Sequence, residues 1–190
     1  MGDGSFAGVF PTHSGEACVW VCAPDAWSLA HRQGHRSIDD AFRAMVECTS
    51  PALASRLLDT VKTSNARGMM SIPNQIVQPV GDGWALVGDA GYHRDAITGH
   101  GISDAFRDAE LLAVALDRAL RSPADERDAL RTYHHDRDRM LREIFELTVA
   151  LSEMPPAARF VELQKQLSTA IDHHAGELAE RPLFAAVPAA

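Results

Sequence analysis

A carboxylate just past a short apolar run, with glycines close behind it, is the arrangement in this chain best suited to chemistry. Asp89 follows Trp84-Ala85-Leu86-Val87 and Gly88, and Gly91, Gly99 and Gly101 come after it. A carboxylate placed there accepts hydrogen bonds from the hydroxyls of a sugar or a ribityl chain. The first free N–H groups of a helix that starts near Gly101 add partial positive charge for an electron-rich edge. Glycine at 99 and 101 lets the backbone come close to a planar ring. An Asp in this position is also a common helix cap, so spacing alone leaves both readings open.

Other candidates are weaker. His134-His135-Asp136 looks like a metal-binding run, but consecutive helical residues point about 100° apart. No partner cluster stands at useful spacing, so it reads as a solvated helix face, as does His173-His174. Gly101-Ile102-Ser103-Asp104-Ala105 approaches a nucleophile elbow, yet the final Gly is Ala and the preceding strand ends far upstream. Cys18 and Cys22 are loosely zinc-like without a second ligand pair, so no metal site is expected. With Cys48 they read as small buried thiols of a reducing compartment. His93 and His100 read as polar loop contacts rather than bases, and Trp20, Trp27 and Trp84 as core or turn packing.

The elements that must position Asp89 follow from periodicity. Gly81-Asp82-Gly83 marks a turn, and Trp84 to Val87 reads as a strand buried on both faces. Ile102, Ala105, Phe106, Ala109, Leu112, Ala113 and Leu116 recur at helical spacing, which completes strand, loop and helix. Upstream, Gly8 to Phe10 and Ala17 to Ala23 suit a hairpin joined by Pro11 to Glu16. Ser37 with Asp40 starts a helix to about Glu47, and Ser50-Pro51 starts a second to about Lys62. Gly68 to Gln78 reads as extended. The expectation there is a small sheet carrying two helices on one side.

Downstream, Ser122-Pro123 with Asp125 and Glu126 opens a helix that runs through Tyr133, Leu141, Phe145, Val149 and Leu151 to a stop at Met154-Pro155-Pro156. A final helix from about Ala157 to Glu180 carries Phe160, Leu163, Leu167 and Ile171, ahead of a Pro- and Ala-containing tail. The class is α+β. The segments are a mixed α/β region over 1–80, the strand-loop-helix over 81–121 and C-terminal helices over 122–190.

Composition agrees with a folded chain of that kind. It has 190 residues, 46% hydrophobic and 23% charged, which excludes disorder and a disulfide-stapled miniprotein. Eighteen basic against 26 acidic side chains give a net charge of −8, which disfavours nucleic acid and anionic membrane surfaces. Met1 to Phe6 has no basic start or apolar core of a signal peptide, and Phe6 stands where a myristoylation signal wants Ser or Thr. No apolar stretch approaches the length of about 20 residues that spans a bilayer. The expected location is the cytoplasm.

The run Gly83-Trp84-Ala85-Leu86-Val87-Gly88-Asp89-Ala90-Gly91-Tyr92-His93-Arg94-Asp95 continues as Ala96-Ile97-Thr98-Gly99-His100-Gly101-Ile102-Ser103-Asp104-Ala105-Phe106-Arg107-Asp108-Ala109. It closely resembles the second FAD-binding motif of flavin-dependent oxidoreductases related to para-hydroxybenzoate hydroxylase. The resemblance extends upstream through Phe10-Pro11-Thr12, Arg67 and Pro79, and downstream through Tyr133, Arg137, Asp138 and Glu146-Leu147-Thr148. It implies that Gly88-Asp89 meets the ribityl chain of FAD, with Asp89 as acceptor. It also implies that Thr98, Gly99, His100, Gly101 and Ile102 supply the backbone facing the flavin ring. Ala96 departs from the family, which usually has proline there.

The resemblance further implies an FAD-dependent oxidoreductase of the monooxygenase type, using NAD(P)H and O2 on an organic substrate; reductases and halogenases share the scaffold. That family opens with a strand, a Gly-x-Gly-x-x-Gly turn and a helix that hold the ADP pyrophosphate, and this chain has no such fingerprint. The chain therefore resembles the C-terminal half of a truncated FAD/NAD(P)-binding fold, expected to bind FAD weakly and to be inactive alone. Without the opening strand, Trp84 to Val87 would show a free edge and favour self-association. The alternative is a non-catalytic module that works through protein–protein contacts.

Overall fold

The structure is a computed structural model and describes residues 4–180; the Met1-to-Asp3 start and the Pro- and Ala-containing tail lie outside them. The described chain is α+β, mostly helical, with its strands in three two-stranded antiparallel ladders. It divides into two compact units. One holds the chain up to Ile72 together with Ser152–Phe160; the other holds Pro73–Leu151 and the chain from Val161.

In the first unit, β1 (Phe6–Pro11) pairs with β2 (Ala17–Cys22), with Gly8 opposite Trp20 and Phe10 opposite Cys18. Phe6, Gly8 and Phe10 share a face because side chains alternate along a strand. The Trp20 ring fills that face, edge-on to Phe6 at 5.0 Å and stacked with Phe10 at 5.6 Å. It lies where a Cβ on residue 8 would stand, which requires glycine there. The turn between the strands places Ser14 and Gly15 at φ 56° and 76°.

Helices α1 (Asp25–Arg32), α2 (Ile38–Thr49) and α3 (Pro51–Leu57) complete this unit. Ser37 accepts from the Asp40 N–H at 3.1 Å and donates its hydroxyl to the Asp40 carboxylate at 2.8 Å, an N-cap at the position expected from those two residues. Ser50 accepts from the Leu53 N–H at 3.4 Å, with Pro51 in the first turn of α3. α3 ends at Leu57, short of the expected Lys62, because Asp39 captures the chain beyond it. Its carboxylate takes the Lys62 ammonium at 2.7 Å and the Ala66 N–H at 2.7 Å. Those two bonds, the Ala66 N–H foremost, hold the Asp39 carboxyl below its usual range.

The expected pair of helices is thus three, since Asp25–Arg32 is also helical, and most of Gly68 to Gln78 is irregular. The thiols are not buried: Cys18 and Cys48 are exposed and Cys22 is half-buried. Cys18 stands opposite Phe10 at the turn end of the hairpin, where Phe10 itself is 60% exposed.

In the second unit β3 (Gln75–Ile76) pairs with β6 (Tyr92–His93), and β4 (Val80–Gly81) with β5 (Trp84–Ala85). The expected strand at Trp84 is short, and it is not buried on both faces. Trp84 is 47% exposed and folds its ring back over Gly81, where a Cβ would collide with it. The strand also has a neighbour, through the β4 pairing and the Leu86 N–H to Pro79 carbonyl bond at 2.7 Å.

Three long helices follow: α4 (Gly101–Arg121), α5 (Glu126–Ser152) and α6 (Ala157–Ala179). Val80, Leu111, Ala115, Ala119, Leu130, Tyr133 and Met140 form one core with Ala85, Val87 and Leu112 against it. Two polar anchors on α5 tie it to the segment that carries Asp89. Tyr133 donates its hydroxyl to the Leu86 carbonyl at 2.6 Å. Arg137, fully buried, donates to the carbonyls of Gly91 at 3.3 Å and Val77 at 3.2 Å. Burial, and then the Asp108 charge, pushes the Tyr133 hydroxyl up to about 12, so it stays a donor. His174, expected on a solvated face, is instead only 8% exposed.

Candidate functional site

Gly88, Asp89 and Ala90 make one 3-10 turn directly after the apolar run. Gly88 is buried with φ +55°, and a Cβ there would stand 3.1 Å from the Ala105 Cβ. Only glycine satisfies both the left-handed backbone and the close approach to α4. That contact sets Asp89 near the start of α4, and its Oδ1 lies 4.0 Å from where a Cβ on Gly101 would be.

Asp89 is exposed. No residue among those described donates a hydrogen bond to its carboxylate, so it is not a helix cap. The N-cap position of α4 belongs to His100, whose side chain makes no capping bond. The N–H groups of Gly101, Ile102 and Ser103 are left without protein acceptors among the described residues, at the positive end of a 21-residue helix.

Asp95 accepts from the Ile97 N–H at 2.9 Å, and its own N–H donates to the Asn74 side chain at 2.6 Å. A 3-10 turn over Ala96–Thr98 then ends at Gly99, which takes φ +68°. Thr98 is half-buried, its hydroxyl 3.4 Å from that of Thr148 on α5. Gly99 and Gly101 are open to solvent and Ile102 is 76% exposed. The Nδ1 of His100 is buried and has no hydrogen-bond partner among the described residues. His93 does make a loop contact, with Nδ1 3.0 Å from the Pro73 carbonyl oxygen.

Beneath this loop lies a buried charge network that periodicity did not reveal. Arg94 forms an ion pair with Asp104, and Arg107 bonds Asp104 at 3.0 Å, Asp108 at 2.7 Å and the Tyr92 hydroxyl at 3.2 Å. All four charged residues are less than a tenth exposed. Burial raises the Asp108 carboxyl by more than Arg107 lowers it. Burial also raises the Tyr92 hydroxyl well above its ordinary value, with Asp104 and Asp108 adding to the effect. The available signal was the acid and base spacing of Asp104, Arg107 and Asp108 on one helical face.

These features fit a flavin. They bring together an unengaged carboxylate, unfilled helix-start N–H donors and two open glycines, a donor and acceptor set of the kind that hydroxyls and an electron-rich ring edge require. Among the described residues no group of three or more His, Cys, Asp or Glu side chains could hold a metal ion. No helix is long and apolar enough to cross a membrane.

A family model described as squalene epoxidase matches residues 33–172, well over half of the chain. Among solved structures, P. aeruginosa PqsL in complex with 2-aminobenzoylacetate matches with a TM-score of 0.63 and 25% identity. That match covers 89% of this chain and 44% of PqsL, so the chain spans less than half of that relative. No curated protein sequence matches it. The two matches establish a flavin monooxygenase relationship, without singling out the para-hydroxybenzoate hydroxylase branch.

Proposed function

The chain belongs to the squalene epoxidase family, and from that premise we propose that it supplies the ribityl and ring side of the FAD site in a flavin-dependent monooxygenase. The observation that carries this reading is the unengaged Asp89 carboxylate beside the uncapped start of α4. Asp89 accepts hydrogen bonds from ribityl hydroxyls. The N–H groups of Gly101, Ile102 and Ser103 stabilise negative charge at the pyrimidine edge, and Thr98, Gly99 and His100 border the ring. The bound flavin supplies the redox chemistry, with NAD(P)H as reductant and O2 as co-substrate for oxygenation of an organic molecule. The chain's own part is binding, orientation and electrostatics. The Arg94, Asp104, Arg107 and Asp108 network holds the loop that does this.

FAD affinity is shared between such contacts and a pyrophosphate cradle, and only the first set is recognisable in this sequence. Residues 1–190 alone therefore bind FAD weakly, and a family-like dinucleotide-binding half restores bound flavin. A second reading, a non-catalytic module working through protein contacts, is favoured by the apolar side chains α4 leaves open: Ile102 at 76%, Phe106 at 74% and Leu120 at 81% exposure. Flavin titration followed by absorbance and fluorescence, with and without the complementing half, separates the two. In the complemented protein Asp89→Ala weakens FAD binding by roughly 1.5 to 3 kcal/mol. Unchanged affinity would overturn the assignment of Asp89, and no flavin uptake at all would favour the second reading.

A further inference from the structure

Away from the flavin motif, a thiol and an imidazole meet on the surface of the first unit. Cys48, exposed on the last turn of α2, has its Sγ 3.6 Å from Nε2 of His31 on α1. The other ring nitrogen of His31 lies 2.8 Å from the Trp27 carbonyl oxygen. A carbonyl only accepts, so Nδ1 carries the proton, and the neutral ring presents an unprotonated Nε2 to the thiol. The Trp27 indole stacks on the imidazole at 3.7 Å and 20°, which fixes the ring plane.

We propose that Cys48 and His31 form a modification site at which the Cys48 sulfur reacts with soft electrophiles, hydroperoxides in particular, while His31 takes the thiol proton. The parts are a nucleophile, a base within reach and a third group that orients the base. With hydrogen peroxide the thiol proton passes to Nε2, and the sulfur attacks one peroxide oxygen. The S–O bond forms as the O–O bond breaks, and the sulfur is oxidised by two electrons. The departing hydroxide leaves as water with the proton from His31, and Cys48 becomes a sulfenic acid. Of the charged groups on elements packed against α2, Asp39 is held by Lys62 and Ala66 and Asp25 by Ser71. Among the described residues no carboxylate, Glu47 included, forms an ion pair with His31.

Iodoacetamide labelling of the 190-residue chain, read cysteine by cysteine by mass spectrometry, tests this. Cys18, also exposed, is the internal standard. At neutral pH Cys48 labels at least about tenfold faster than Cys18. His31→Gln removes the advantage at Cys48 and leaves Cys18 unchanged. Under dilute peroxide a dimedone adduct forms on Cys48 in the wild type and is lost in His31→Gln. Equal labelling of the two cysteines at neutral pH, or an unchanged Cys48 rate in a folded His31→Gln variant, would overturn the proposal. Should that variant fail to fold by circular dichroism, the comparison within the unmutated chain still decides.

Discussion

Arg107 stands 7% exposed between two carboxylates and a phenol, and its worth lies in what its removal would strand. Asp104 keeps Arg94 as a partner, but Asp108, fully buried, would lose its cation. Breaking a buried pair from one side costs about 3–5 kcal/mol, since the remaining carboxylate has no counter-charge and keeps only the Gly88 N–H as a donor. Arg107→Met is therefore expected to lower the unfolding free energy by about that amount at neutral pH in urea titrations. Part of the loss returns as pH falls, because the already raised Asp108 carboxyl then takes up a proton and stops being a buried charge. The same group explains why the site was half legible in sequence. Asp89 and its glycines announce themselves by type and order. The network beneath them consists of Asp and Arg, residues that usually mark solvent, and only three-dimensional proximity shows that here they are interior.

Helix α4 carries that inversion along its length. Its apolar spacing through Ile102, Ala105, Phe106, Ala109, Leu112, Ala113 and Leu116 locates the helix correctly but marks the inner face only in part: Leu112 packs against the core and Ala105 against Gly88, whereas Ile102, Phe106 and Leu116 face outward. Ile102, Phe106 and Leu116 are 76%, 74% and 42% exposed, while Asp104, Arg107, Asp108, Leu111, Ala115 and Ala119 are buried. Periodicity reports which residues share a side of a helix, not which side is covered. Caps were more legible than cores: Ser37 with Asp40, and Ser50 with Pro51, act locally and need no tertiary partner. The end of α3 was not legible, since it depends on Asp39 capturing Lys62 and Ala66 from another element. At the start of α4 the geometry offers a clean probe. A methyl on Gly101 would meet only the Asp89 Oδ1, at an ordinary 4.0 Å. Gly101→Ala should hold or raise thermal stability, Ala being favoured in a helix by up to about 1 kcal/mol. In the complemented protein it should weaken flavin binding, because the methyl occupies the approach between the helix start and Asp89. A stability loss without an affinity change would move the site elsewhere.

At the scale of the whole molecule, the family match covers residues 33–172 and so takes in all of α4 and α5 and most of α6. The α6 helix brings a titratable group inside. His174 is 8% exposed, its Nδ1 has no partner among the described residues, and burial lowers its folded-state value below 6.5 against the opposing pull of Glu143 and Glu177. The folded chain thus binds fewer protons at His174 than the unfolded chain does in the window just below 6.5. Stability from this group is complete above that window and is lost as pH falls through it towards the lowered folded value. The slope is at most about 1.4 kcal/mol per pH unit for one proton. Asp108, whose folded value is raised, works in the opposite sense at lower pH, so a single curve mixes the two. The difference between wild type and His174→Leu isolates the imidazole. Urea midpoints followed by circular dichroism should fall in the wild type between about pH 7 and about pH 5.5, and fall less in the variant. The two curves should converge or cross as the pH drops. Parallel curves across that range would place a neutral or solvated imidazole at 174 in both states and remove burial as the source of the shift.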